Sequence, residues 1–258
     1  MSDLYAYQYA LIGLIFVWSG FVRSGLGFGG AVLSLPFLLL VHNEPLVFLP
    51  LIAIHLLVFS SLTIALNNRG RSDSGAIMST VDWPYLWRIL GIMIVPKLVG
   101  VFGLLTLPSG IMSAIIFAIV ALYSVSYIVN RPFRSGSKTV DVVFLMLGGY
   151  ISGTSLIGAP LIIAVVAQHI AKERLRDTLF ALWFILVTIK VAAFIWADVD
   201  MQWIHHLWLL PCAAIGHVIG LKIHQRMLQA ETPVFFRVLG SVLLVISVMG
   251  LWQGLSGD

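Results

Sequence analysis

Arg23-Ser24-Gly25-Leu26-Gly27-Phe28-Gly29-Gly30 interrupts an apolar stretch that spans residues 9–41. One bilayer crossing takes about 20 apolar residues, so the stretch is too long for a single span, while the halves on either side of the glycines, roughly 14 residues each, are too short. The sequence therefore predicts two half-helices around a break. Backbone that leaves the helix at membrane depth exposes N–H and C=O groups at a cost of several kcal/mol each, unless they are buried in protein or line a wet cavity. A glycine break inside an apolar run thus implies a cavity.

The same plan recurs downstream. Gly149-Tyr150-Ile151-Ser152-Gly153-Thr154-Ser155-Leu156-Ile157-Gly158-Ala159-Pro160 divides the apolar residues 140–169, and a shift of 128 positions places Ser24-Gly25 on Ser152-Gly153 and Gly30-Ala31 on Gly158-Ala159. Full crossings are expected at residues 45–66, 83–105 and 111–129 after the first break, and at 178–196, 203–221 and 233–252 after the second. Pro96 with Gly100 matches Pro211 with Gly216 to within one residue of slip. The expected fold is an all-α polytopic membrane protein with two inverted repeats, each a re-entrant or broken helical hairpin plus three transmembrane helices. Residues 1–130 form the N-terminal repeat, 131–139 a basic linker and 140–258 the C-terminal repeat of one integral membrane domain.

Composition supports this class. The 258 residues are 60% hydrophobic and 10% charged, whereas a soluble domain carries about a quarter charged residues. The net charge of +4 comes from basic residues in short linkers, where orientation signals belong, so nucleic acid is not an expected partner. Cys212, the single cysteine, allows no internal disulfide and lies in an apolar run as a small hydrophobe. No Lys or Arg precedes Arg23, so the basic region of a cleaved signal peptide is missing and the first apolar run is expected to be retained.

Lysine and arginine in short loops stay cytoplasmic. Residues 69–88, 131–138, 172–176 and 222–226 are the basic segments; 42–44, 106–110, 198–200 and 257–258 are not. Lys138 and Lys172 place both ends of the second broken stretch inside, which makes it re-entrant. Three crossings separate it from the first broken stretch, which must then begin and end outside. Inverted repeats of this kind place the substrate site of many secondary transporters at the midplane.

The breaks also select a ligand charge. A new helix starting near Gly29 and another near Gly158 would aim free N–H groups and positive dipole ends at the midplane, which suits an anion. Gly25, Gly27, Gly29, Gly30, Gly153 and Gly158 would let an oxyanion approach the backbone, and Ser24, Ser152, Thr154 and Ser155 offer hydroxyl donors. Arg23, Lys97 and Lys190 lie in or near apolar runs, with His55 and His217 as further candidates, and no Asp or Glu falls at a mid-membrane position. Each buried cation costs about 2.5–3.5 kcal/mol on insertion scales, so the substrate is the expected counter-ion. Arg23 is the best anchor, because a guanidinium matches a carboxylate, sulfite or sulfonate through two parallel hydrogen bonds.

Other readings of these residues stay open at this level. The pairs Gly149/Gly153 and Gly216/Gly220 have the spacing of tight helix packing. Lys190 and Lys97 either touch substrate or snorkel outward. His55 and His217 are either ligands or polar groups within a helix interface. His205-His206, beside Trp203 and Trp208, belongs to an interfacial aromatic belt rather than a metal site. Two enzyme-like matches fail: Gly25 to Gly30 fits GxGxxG but no βαβ unit surrounds it, and neither Ser24-Gly25 nor Ser152-Gly153 has the glycine two residues ahead that an intramembrane serine protease requires. The sequence points to no enzyme, no cofactor and no metal.

The pattern Gly20-x-x-x-Ser24-Gly25-x-Gly27-x-Gly29-Gly30 followed by Pro36, a second glycine-rich break after a basic linker, and Pro211 with Gly216 and Gly220 near the end resembles the TauE/SafE family of sulfite and organosulfonate exporters. The resemblance covers nearly the full chain. It implies a multi-pass protein of the bacterial inner membrane that moves sulfite, sulfoacetate or a similar organosulfonate, in the export direction. Membrane lipid and a homodimer mate are further expected partners. A carboxylate transporter, or an anion channel or uniporter, is the alternative use of the same site. Thr154-Ser155-Leu156-Ile157 departs from the family, which often has more glycine there, so the second tip would bind more through hydroxyls than through backbone. The predicted topology is testable in a Cys212→Ser background: a membrane-impermeant maleimide should label Asn43→Cys only in intact cells and Gly136→Cys only in everted vesicles. Labelling of both from one side would contradict it.

Overall fold

In a computed structural model of the chain, residues 1, 4–26, 30–72, 80–131, 133–229 and 233–256 are described. These residues form ten helices and no strand: α1 (Ala6–Leu26), α2 (Leu35–Val41), α3 (Pro45–Ser72), α4 (Trp83–Thr106), α5 (Ser109–Ile128), α6 (Lys138–Ser155), α7 (Ala159–His169), α8 (Lys172–Trp196), α9 (Trp203–Gln229) and α10 (Pro233–Ser256). Among the described residues, α3 over Pro45–Thr63, α4, α5, α8 and α9 over Trp203–Lys222 are long and apolar enough to cross a membrane. The protein is an all-helical, multi-pass membrane protein. Helices α4, α9 and α10 start at the residues the sequence predicts, while α8 begins at Lys172 rather than Thr178. Lys, Glu and Arg are strong helix formers, and Glu173 lies in the first turn where the helix dipole favours an acid, so the charged segment joins the helix instead of linking to it.

The first broken stretch differs most from expectation. Helix α1 continues for 21 residues, about 30 Å, and takes Arg23, Ser24 and Gly25 into its last turn rather than ending ahead of them. The next helix begins at Leu35, not near Gly29, and has only seven residues, with a proline in its first turn. The amides of Ser34 and Leu35 donate to the Ala31 carbonyl at 3.3 and 2.9 Å, closing the turn that leads into it. In the second stretch the break is where the sequence puts it: α6 ends at Ser155, Leu156 is left-handed with φ 61°, and α7 begins at Ala159 with Gly158 as N-cap.

Helix contacts divide the chain into two compact units, and neither is a half of the sequence. One unit comprises Met1–Leu51, Thr106–Phe133 and Asp200–Asp258, which brings α1, α2, α5, α9 and α10 together. Within it α1 lies directly on α9. A methyl group on Gly20 would strike the Ala213 carbonyl, one on Gly216 the Val17 carbonyl, and one on Gly220 would stand 2.5 Å from the Phe21 carbonyl. Similarly, Gly240 of α10 faces the Ser124 carbonyl of α5, and Gly250 receives the Phe117 ring.

The other unit comprises Ile52–Leu105 and Arg134–Val199, with most of α3 and all of α6, α7 and α8, and α4 up to Leu105. Helices α4 and α6 meet backbone to backbone: a methyl on Gly100 would strike the Tyr150 carbonyl, one on Gly153 the Lys97 carbonyl, and one on Gly149 would lie 2.7 Å from the Met93 carbonyl. Leu86, Met93, Leu145, Ile162, Val166, Leu182 and Leu186 build the apolar core where α4, α6, α7 and α8 pack. Two glycine substitutions separate packing from helix propensity. Gly216→Ala should lower stability by about 1–3 kcal/mol, because the methyl meets rigid backbone. Gly91→Ala, whose methyl meets nothing within 4 Å, should be neutral or stabilising by up to about 1 kcal/mol. Thermal unfolding of both purified variants in detergent provides the check, and equal midpoints would refute the packing account.

Candidate functional site

In the second unit the site is built at the end of α6. The glycine contact of Gly100 with Gly153 draws α4 against α6, so that Lys97, one turn before Gly100, reaches Ser152, one residue before Gly153. Lys97 Nζ donates to the Ser152 carbonyl and to its Oγ, at 3.1 Å in each case. An ammonium has three N–H donors, so these two bonds leave one unused. Lys97 is fully buried, which excludes snorkelling.

Thr154 and Ser155 behave differently from Ser152. Their hydroxyls donate back to the Ile151 carbonyl at 3.0 Å each, which commits both protons to the helix. Gly158 is required by space, since a methyl there would strike the Gly148 carbonyl. Helix α7 starts after it with no side-chain cap, and Pro160 removes one N–H from the first turn. Its amide donors toward an anion are therefore fewer than a generic helix start would supply.

Lys190 of α8 is also fully buried. Its Nζ has no hydrogen-bond partner and lies 5.7 Å from the centroid of the Phe194 ring. Snorkelling is excluded here as well. His55 is buried on α3, in the same unit.

In the first unit Arg23 and Ser24 lie on the last turn of α1, at 6% and 1% exposure. Ser24 Oγ and His217 Nδ1 share a hydrogen bond, and Gly220, one turn beyond His217 on α9, packs against Ser24. The Gly30 carbonyl accepts from Ser34 Oγ at 2.5 Å and Ser19 Oγ at 3.4 Å, and a methyl on Gly30 would lie 3.1 Å from Arg23 Cβ. Gly25 belongs to the helix, whereas Gly27 and Gly29 lie outside the described residues.

Each unit thus presents a helix end whose buried serine bonds to a basic side chain of the helix packed beside it: Ser152 to Lys97, Ser24 to His217. The serines are 128 positions apart and the bases 120 apart. Pro96 and Pro211 are 115 apart, a different offset from either, and the resemblance of the Lys97 and His217 contacts is visible only in the structure. Ser19 and Ser34 carry no signal in the sequence, since small hydroxyl residues in apolar runs have no spacing pattern. Among the described residues no cluster of His, Cys, Asp or Glu is placed to hold a metal ion.

No curated protein and no solved structure matches the chain significantly. The family profile described as "Sulfite exporter TauE/SafE" matches residues 11–250. That match takes in both glycine-rich tips and all but the outermost turns of the ten helices, and by it the chain belongs to the TauE/SafE family of sulfite exporters, which are membrane transporters.

Proposed function

We propose that this protein is a secondary transporter that exports a small sulfur-containing anion, sulfite or an organosulfonate, across the bacterial inner membrane by alternating access. The observation that carries this reading is the matched serine–base pair at the end of each broken stretch, Ser152 with Lys97 and Ser24 with His217, on helices that also bear the buried Arg23. Cationic and hydroxyl donors held away from water attract oxygen-bearing anions far more strongly than exposed ones do. Inverted repeats are the arrangement in which such tips alternate between the two faces of the membrane.

Roles follow from donor chemistry. Arg23 anchors the anion through two guanidinium N–H groups. In the first unit Ser24, whose hydroxyl His217 orients, supplies a further hydrogen bond; in the second unit Ser152 and the third N–H of Lys97 offer donors of the same kind. Thr154 and Ser155 shape the second tip through backbone rather than hydroxyl donation. The same donors accept a carboxylate, so oxyanion geometry and tail size set the choice among substrates.

Loss of a charged hydrogen-bonding partner costs about 1.5–3 kcal/mol, roughly a factor of ten or more. In proteoliposomes loaded with sulfite, Arg23→Ala should reduce efflux by at least about that factor, and transport at the wild-type rate would overturn the assignment. Accelerated exchange when unlabelled sulfite is present on the far side separates a carrier from a channel.

A further inference from the structure

The register of the helices in the second unit fixes the depth of Lys190. Leu179, Leu182 and Leu186 of α8 lie in the apolar core with Leu86, Met93 and Leu145, and Lys190 is the next residue of the same face, one turn on. The Asp82 amide donates to Thr178 Oγ1 at 3.0 Å, which aligns the start of α4 with the first turns of α8. Beyond that contact Leu86 and Met93 of one helix and Leu182 and Leu186 of the other enter a single core, so the two run in the same direction. Counted from it at 1.5 Å per residue, Lys97 lies about 22 Å along α4 and Lys190 about 18 Å along α8. Lys190 thus shares its depth with the tip where Lys97 meets Ser152.

At that depth the nitrogen meets no acceptor. Lys190 is fully buried, its Nζ has no hydrogen-bond partner, and the Phe194 ring at 5.7 Å offers a π face that attracts an ammonium but no lone pair. The other helices of the unit present Tyr85, Arg88 and Lys97 on α4, Tyr150 on α6, His169 at the end of α7 and His55 on α3. None of these is an acid. The acids described in the unit, Asp82, Asp141, Glu173, Asp177 and Asp198, are all at helix ends, and the nearest two on α8, Asp198 and Asp177, lie about 12 Å and 20 Å from Lys190 along the chain. An ammonium brings three N–H donors and a full charge that need partners, whereas a neutral amine needs far less. No described residue of the unit supplies the counter-charge at that level.

We propose that Lys190 is a proton-uptake site: it stands as a neutral amine until an anion enters the tip at Ser152, and then takes one proton from the water that admits the anion. The nitrogen lone pair forms the new N–H bond, no bond of the anion breaks, and the ammonium and the anion offset each other's charge in a low-dielectric interior. The Phe194 ring steadies the charged form. Each anion is thus carried with a proton, so a singly charged anion crosses without net charge. This inference rests on the reading of the protein as an anion transporter and adds the ion that accompanies its substrate.

The test uses the purified full chain in detergent, titrated with methanesulfonate and with sulfoacetate, whose charges do not change near neutrality. Calorimetry gives the amount bound, and a pH electrode in weakly buffered solution reads the protons that leave the medium. Wild type should take up about one proton per anion bound, and by linkage its affinity should rise about tenfold for each unit by which the pH is lowered around pH 8. Arginine keeps its proton throughout and methionine accepts none, so Lys190→Arg and Lys190→Met should bind without proton uptake, with affinities that change less than about twofold per pH unit. Binding by the wild type without proton uptake would overturn the proton site while leaving anion transport standing, as would uptake that persists in Lys190→Met. If neither anion binds the wild type, both readings fall.

Discussion

Everything at the two tips depends on helices that touch backbone to backbone. Where α4 meets α6, Gly100 and Gly153 leave no room for a methyl on either side, and where α1 meets α9, Gly216 and Gly220 do the same against Val17, Phe21 and Gly25. In a bilayer, lipid tails are as apolar as leucine, so helix association draws on close van der Waals contact and interhelical hydrogen bonds rather than on escape from water. Small residues supply the contact. They also shorten the distance over which a side chain must reach, and this is what lets Lys97 bond to Ser152 and His217 to Ser24.

The same closeness explains why charges survive inside the membrane. A lysine at the bilayer centre is costly, and a lone one would bend toward the nearest interface. Lys97 cannot, because the α4–α6 contact encloses it and gives its ammonium two oxygen acceptors. Lys190 is equally enclosed without such acceptors. Burying an amine without acceptors lowers stability at that position, a pattern found where function requires it.

The two halves of the sequence interleave within each unit. Helix α1 from the first half of the sequence packs on α9 from the second, and α6 from the second packs on α4 from the first. Each tip is therefore completed by a helix from the other half of the sequence. Neither half of the chain can build its own serine–base pair. The two pairs are also chemically unlike, since one serine meets a primary amine and the other an imidazole ring.

Much of this architecture was legible in the sequence, because helix lengths in a membrane are set by bilayer thickness and by composition. The starts of α4, α9 and α10, the all-helical class, and the second break at Gly158 followed from apolar runs, prolines and glycines alone. The buried cations were legible too, since a lysine in an apolar run is conspicuous wherever it ends up. What the tertiary structure alone decided was how each glycine is used. Gly25 looks like a helix breaker beside Gly27, yet α1 runs through it, because α9 presents Gly216 and Gly220 to a helix that stays regular. Likewise the hydroxyls of Thr154 and Ser155 look like donors for a ligand but turn back to the Ile151 carbonyl, while Ser152 alone faces a charged partner. A linear sequence specifies which groups are available at a given depth, but the partner each group finds depends on the neighbouring helix, and that helix comes from more than fifty residues away.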